Sequence, residues 1–101
     1  MKYGIKEEQW DKLLRTFATY PKIEKVVLYG SRAKGNYKPY SDIDITLIGR
    51  ELTHTDLNHI ISAIDNLLLP YQCDISLFQT LSNPDLIDHI KRVGIIVYEK
   101  Q

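Results

Sequence analysis

Val26-Val27-Leu28-Tyr29-Gly30-Ser31-Arg32-Ala33-Lys34-Gly35-Asn36-Tyr37-Lys38-Pro39-Tyr40-Ser41-Asp42-Ile43-Asp44-Ile45-Thr46-Leu47-Ile48 is the stretch on which the reading of this chain turns. Val26 to Tyr29 is a β-branched and aromatic run ended by glycine, which predicts a buried strand entering a tight turn. Gly30 has no Cβ, so a ligand can approach the backbone closely there. Ser31 then opens a brief helical turn whose free N–H groups and positive dipole end favour an anion, with the hydroxyl as a further donor. Arg32 and Lys34 add positive charge beside the turn, Gly35 lets the chain leave it, and Pro39 with Ser41 marks a loop before the next strand.

Asp42 and Asp44 stand two apart at the start of that strand. Side chains alternate along a strand, so both carboxylates point to one face while Ile43, Ile45 and Leu47 take the other, toward a core. Two carboxylates so close repel, and one holds its proton unless a cation compensates them. Magnesium suits such a place, because it accepts one or two carboxylates and completes its shell with substrate phosphates. The turn and the aspartates are therefore complementary halves of one site, and chemistry on a nucleoside triphosphate is the expected use. No Gly-Lys-Ser/Thr follows the turn, which excludes a Walker P-loop.

Gly30-Ser31, ten residues of spacer and then Asp42-Ile43-Asp44 resembles the pattern of the nucleotidyltransferase superfamily that includes DNA polymerase β, poly(A) polymerases and kanamycin nucleotidyltransferase. The whole chain, through its closing Gly94-Ile95-Ile96-Val97-Tyr98, is similar to the minimal nucleotidyltransferase (MNT) domains encoded beside HEPN-domain proteins as toxin–antitoxin pairs. Either half of the motif alone is weak; both, at this spacing between strand-like runs, are specific.

The resemblance implies a third carboxylate on a later strand, and Asp74 in Gln72-Cys73-Asp74-Ile75-Ser76-Leu77-Phe78 matches it. Alternation puts Asp74, Ser76 and Phe78 on one face and Cys73, Ile75 and Leu77 on the other. By the same resemblance Asp42, Asp44 and Asp74 are the catalytic, metal-binding residues, and Ser31 and Lys34 contact the triphosphate of ATP. Gly30 joins them as the point of close backbone approach, and Arg32 reads equally well as a phosphate contact or as a surface ion pair. Lys34 stands where many relatives have arginine, which keeps the charge and loses the bidentate fork. The implied reaction is in-line attack of a hydroxyl on the α-phosphorus with release of pyrophosphate, assisted by two magnesium ions about 3.5–4 Å apart.

A chain of 101 residues predicts one domain over 1–101 with a modest core and no room for a second, acceptor-binding domain. The acceptor is then small or is carried by a partner. The resemblance to MNT antitoxins points to a tyrosine of a cognate HEPN toxin, in a hetero-oligomer. Thirteen basic residues balance thirteen acidic ones, so no general pull toward a long nucleic acid exists. Lys22, Lys25 and Lys38 gather near the turn with Arg32 and Lys34, which suits a nucleotide; each of those three lysines serves equally well as a solvated surface residue. Cys73 is the one cysteine, which excludes an intrachain disulfide and a cysteine zinc site. The N-terminal residues lack the apolar core of a signal peptide, and no run approaches the ~20 apolar residues of a membrane span. A cytoplasmic protein is expected.

The periodicity predicts helix over 7–19, strand 25–30, a short helix 31–35, strand 42–48, helix 55–69, strand 72–78, helix 84–93 and strand 95–98. Thr55 is expected to cap the third helix, whose apolar stripe runs Leu57, Ile60, Ile61, Ile64, Leu67 and Leu68. Asn83-Pro84 reads as a cap and first-turn pair, and Gly94 as a helix stop. Alternating strands and helices give an α/β, nucleotidyltransferase-like fold: a small mixed β-sheet packed with helices. His54, His59 and His89 lack metal-ligand spacing and read as surface or core-edge residues. Tyr37 and Tyr40, in the loop beside the site, can stack on a base or meet a partner. Two further readings stay open beside the transferase: an antitoxin that neutralises by steric contact alone, and a small-molecule nucleotidyltransferase completed by a second subunit.

Overall fold

Alternation in the strand sequences decides the architecture. In the computed structural model, which describes residues Met1–Gln101, β1 (Lys25–Tyr29), β2 (Ile43–Ile48), β3 (Cys73–Leu77) and β4 (Ile95–Glu99) form one sheet in the order β3-β2-β1-β4. β1 runs antiparallel to both β2 and β4, whereas β2 and β3 are parallel. Parallel neighbours need a crossover, and helix α3 (His54–Asp65) supplies it. Val26, Leu28, Ile43, Ile45, Leu47, Ile75 and Leu77 share one face and are buried with Trp10, Leu13 and Phe17 of α1 (Glu7–Ala18) and Ile60 and Ile64 of α3. The opposite face carries Val27 and Tyr29, which pack with Ile90 of α4 (Pro84–Val93). The fold is thus a mixed sheet with helices on both faces, the nucleotidyltransferase-like arrangement expected. No helix is long and apolar enough to cross a membrane.

The end of α1 and both ends of α2 (Gly30–Lys34) shift by one residue from the expectation. β2 begins at Ile43 and so leaves Asp42 in the loop ahead of it, and both ends of α3 differ for local reasons. Thr53, not Thr55, caps α3: its hydroxyl accepts from the Asp56 N–H at 3.2 Å while the Asp56 carboxylate accepts from the Thr53 N–H at 2.9 Å. This reciprocal box satisfies two end groups, which a cap at Thr55 would leave open. α3 also stops at Asp65 rather than 69, and Leu68, at φ +55° and 87% exposed, leaves the apolar stripe while Leu67 still packs on the core. The cap on α4 is as expected, with Asn83 Oδ1 accepting from the Asp85 and Leu86 N–H groups. Gly94 does end α4, but by sterics: its φ is an ordinary −62°, and a Cβ there would strike the Ile90 carbonyl and lie 2.8 Å from Val27 Cγ1.

Strand register is what assembles the site. Tyr29 pairs with Asp44 across β1 and β2, and Asp44 pairs with Asp74 across β2 and β3. Paired residues share a face, so one row crosses the sheet at the end where β1 runs into the glycine turn.

Candidate functional site

The turn after β1 is the short helix α2 (Gly30–Lys34), entered through Gly30 at φ +76° and left through Gly35 at φ +87°. Both angles lie in the left-handed region that glycine adopts without steric cost. Gly30 has a second reason to be glycine. A Cβ built on it would fall on Asp44 Oδ2, 3.1 Å from the carboxylate carbon. The cradle that Gly30 leaves is filled by the Asp44 carboxylate, which ties the two halves of the sequence motif together through direct contact.

Asp44 is half-buried, while Asp42 and Asp74 are exposed. Burial, then the Asp74 charge, then the Asp42 charge push the Asp44 carboxyl above its ordinary range, and His89 opposes them. Asp44 therefore feels both of the others. They do not converge as a closed set of three at metal-ligand spacing. A hard cation that draws most of its oxygens from phosphates needs only one or two carboxylates. Asp44 and Asp74 side by side, with Asp42 in the loop just ahead of β2, offer that donor set.

Tyr29 completes the row. Its hydroxyl is pushed above the ordinary range by burial first and then by Asp74, with Asp44 adding to the effect and the polar Ser76 side chain opposing it. Ser76 Oγ donates to Thr46 Oγ1 at 3.1 Å, so the polar groups behind the aspartates are held in a chain across β2 and β3. Cys73, on the opposite face, is partly buried, and burial with the Asp65 and Asp42 charges pushes its thiol up to about 11. It is inert packing, not a nucleophile.

The basic residues of the turn part company. Lys34 is exposed with no ion-pair partner, and Ser31 is half-buried in the first turn of α2. Arg32, expected beside the triphosphate, is only 1% exposed. Its Nε and one terminal nitrogen donate to the Ser41 carbonyl at 3.1 and 2.8 Å, the same nitrogen reaches the Pro39 carbonyl at 3.3 Å, and the other donates to the Tyr3 carbonyl at 2.8 Å. The guanidinium also lies 5.3 and 4.9 Å from the ring centroids of Tyr37 and Tyr71. Arg32 clamps the loop that delivers Asp42, and its charge points inward. Tyr37 is engaged in that clamp, whereas Tyr40 is 81% exposed.

One neighbour of the site was not expected. His89 Nε2, from the inner side of α4, accepts from the Gly30 N–H at 3.2 Å, and its ring meets Tyr29 edge-on with centroids 6.2 Å apart. The signal was present in the spacing, since Leu86, His89, Ile90 and Val93 recur at helical intervals and place His89 on the face that packs. Nothing local, however, says that this face meets a turn 59 positions earlier.

The geometry agrees with the similarity to known proteins. Residues 11–101 match the family described as Polymerase beta, Nucleotidyltransferase, and the chain belongs to that family. A Methanocaldococcus jannaschii protein named as a protein adenylyltransferase is 40% identical over 50 residues, covering 50% of this chain and 46% of its own. The Haemophilus influenzae protein named as the protein adenylyltransferase MntA is 34% identical over 77 residues, 72% of this chain and 64% of that one. The chain thus spans about half to two thirds of the length of these two relatives. A crystal structure of a toxin–antitoxin with AMP-PNP superposes with TM-score 0.70 over 96% of this chain and 76% of the other, at 23% identity. The MNT antitoxin complex with tri-AMPylated Shewanella oneidensis HEPN toxin gives 0.62 over 93% and 70%, at 21% identity. At these identities the structures establish a shared fold.

Proposed function

We propose that this chain is a magnesium-dependent nucleotidyltransferase that moves AMP from ATP to a hydroxyl, that of a tyrosine on a cognate HEPN toxin, and so acts as an antitoxin in a hetero-complex. The observation that carries the reading is the row Asp44–Asp74, with Asp44 docked against the Gly30 turn by the contact that only glycine permits. The names of the M. jannaschii and H. influenzae relatives, and the AMPylated toxin held by the S. oneidensis neighbour, support the choice of protein hydroxyl and nucleotide.

In this reading Asp42, Asp44 and Asp74 would hold the magnesium, which would supply charge stabilisation for the entering and leaving oxygens. The acceptor oxygen forms a bond to the α-phosphorus, the α–β bridging P–O bond breaks, and pyrophosphate leaves. Asp74, exposed on the edge strand β3, would take the place next to the acceptor hydroxyl and receive its proton. Ser31 and Lys34 hold the triphosphate on the side of the turn. The sheet and the Arg32 clamp keep these groups at fixed separation, so the chain contributes chiefly orientation and electrostatics.

A second reading, neutralisation by contact alone, draws on one observation: with Arg32 turned inward, Lys34 is the single cation left free in α2. Transfer from α-labelled ATP with magnesium, by wild type and Asp42→Asn, onto the candidate toxin and onto small molecules separates the readings. Label on the toxin that vanishes in the variant is expected. No label, with equal complex formation by both proteins, leaves the steric antitoxin standing, and label confined to a small molecule moves the assignment to that class.

A further inference from the structure

We infer that His89 of α4 is a positioning residue of this site, acting through Gly30 to hold the Asp44 carboxylate where a metal-bound nucleotide needs it; the inference rests on the transferase reading above. Two separate contacts tie it to the site. The Gly30 N–H, which at the head of α2 has no acceptor within the helix, is taken by His89 Nε2 at 3.2 Å. The Gly30 peptide is the one that leaves open the cradle for Asp44, so its orientation sets the position of that carboxylate. His89 also braces the ring of Tyr29, the residue opposite Asp44 in register.

The scaffold behind His89 is stiff. Ile90, next to it in sequence, is buried with Val27 and Tyr29; Asn83 caps the start of α4; and the close approach of Gly94 to Val27 fixes its end. A helix held at both ends and at its middle presents the imidazole nitrogen to the turn in one geometry. Nε2 acts only as an acceptor, so a side chain that places an acceptor at the same reach can replace it. Glutamine does this, since its amide oxygen sits near the position of Nε2, whereas leucine fills the volume and offers no acceptor.

The test compares wild type, His89→Leu and His89→Gln in two assays: the magnesium concentration giving half-maximal transfer, and the rise in melting temperature produced by magnesium with a non-hydrolysable ATP analogue. His89→Leu is expected to need on the order of tenfold more magnesium, as a loosened ligand position would, and to lose most of the ligand-induced rise. His89→Gln should restore both. A role in packing alone lowers the amount of folded protein in each variant without changing the magnesium requirement of what remains. The inference is overturned if His89→Leu keeps the wild-type magnesium dependence, or if His89→Gln is as impaired as His89→Leu. If wild type itself neither transfers nor gains stability with magnesium and the analogue, the transferase reading fails first and takes the inference with it.

Discussion

Substituting Gly30 by alanine tests the contact on which the site rests, and the structure supplies its own control. Gly30 and Gly35 both sit at positive φ, +76° and +87°. An alanine at either position bears the left-handed backbone penalty of about 1–2 kcal/mol. They differ in surroundings: a Cβ on Gly35 meets nothing within 4 Å, whereas one on Gly30 meets the Asp44 carboxylate. Gly35→Ala should therefore lower the melting temperature by roughly 4–15 °C, from about 4–8 °C per kcal/mol for a domain of this size. Gly30→Ala should fall further, because Asp44 must leave its cradle and part company with the row, a cost of about 1–3 kcal/mol in the range for overpacking.

The assay is thermal unfolding of the two single variants, Asp44→Ala, and the double variant Gly30→Ala/Asp44→Ala, with nucleotidyl transfer measured on the same samples. In the Asp44→Ala background the carboxylate is gone and the nearest remaining atom is the Asp44 Cβ, 3.3 Å from the new methyl. The penalty of Gly30→Ala should then shrink to that of Gly35→Ala, which makes the excess a coupling energy between two touching residues. Transfer should be lost in Gly30→Ala and largely kept by the folded fraction of Gly35→Ala. Equal melting temperatures for Gly30→Ala and Gly35→Ala, with transfer intact in both, would show that Gly30 has no bearing on Asp44.

Three further outcomes follow from the geometry. Arg32→Ala strands three carbonyls that a buried guanidinium now serves and should cost about 2–4 kcal/mol, seen as a melting temperature lower by on the order of 10 °C or more; Lys34→Ala should leave the melting temperature alone and raise the KM for ATP, and the reverse pattern refutes the division of labour between the two cations. Asp44→Asn should raise the melting temperature of the metal-free protein by a few degrees at neutral pH. The sign follows from its raised carboxyl: the ionised form opposes folding fully above the folded value, and the effect fades as pH falls to the ordinary carboxylate range, so a gain that persists at acid pH sinks the electrostatic explanation. Thr53→Ala removes one half of the α3 capping box and should cost about 1 kcal/mol with no change in the transfer rate per folded molecule, as checked by urea unfolding beside the labelled-ATP assay.

What the sequence disclosed is what is encoded locally. Alternation in Ile43-Asp44-Ile45-Thr46-Leu47 and in Asp74-Ile75-Ser76-Leu77 states which face each residue takes, because a strand has only two. Asn83-Pro84 states where α4 begins, because side-chain oxygen and ring geometry act within four residues. Thr53 and Thr55 both precede an apolar run, and only the reciprocal bond between Thr53 and Asp56 tells the true cap from the other. Leu68 fits the helical period of α3, yet the chain turns after Asp65, and periodicity cannot report where a helix stops being useful to the core.

The roles of Arg32 and His89 were hidden for a different reason. A cation beside a glycine turn is read as phosphate-facing because both features favour anions, but the guanidinium's five donors are equally suited to carbonyl oxygens. Which it takes depends on whether Tyr3, Pro39 and Ser41 curl round it, a matter of tertiary closure between segments up to 29 residues apart. His89 reaches Gly30 only because α4 docks on the face of the sheet that α1 and α3 leave free. Both are links between the motif and distant chain, and in both the motif residue is a backbone or a buried group with no freedom of its own. The division has a physical logic. Residues that meet a diffusing nucleotide must be exposed and clustered, which short spacing can encode, whereas residues that hold them still must come from elsewhere, because a turn of five residues cannot brace itself.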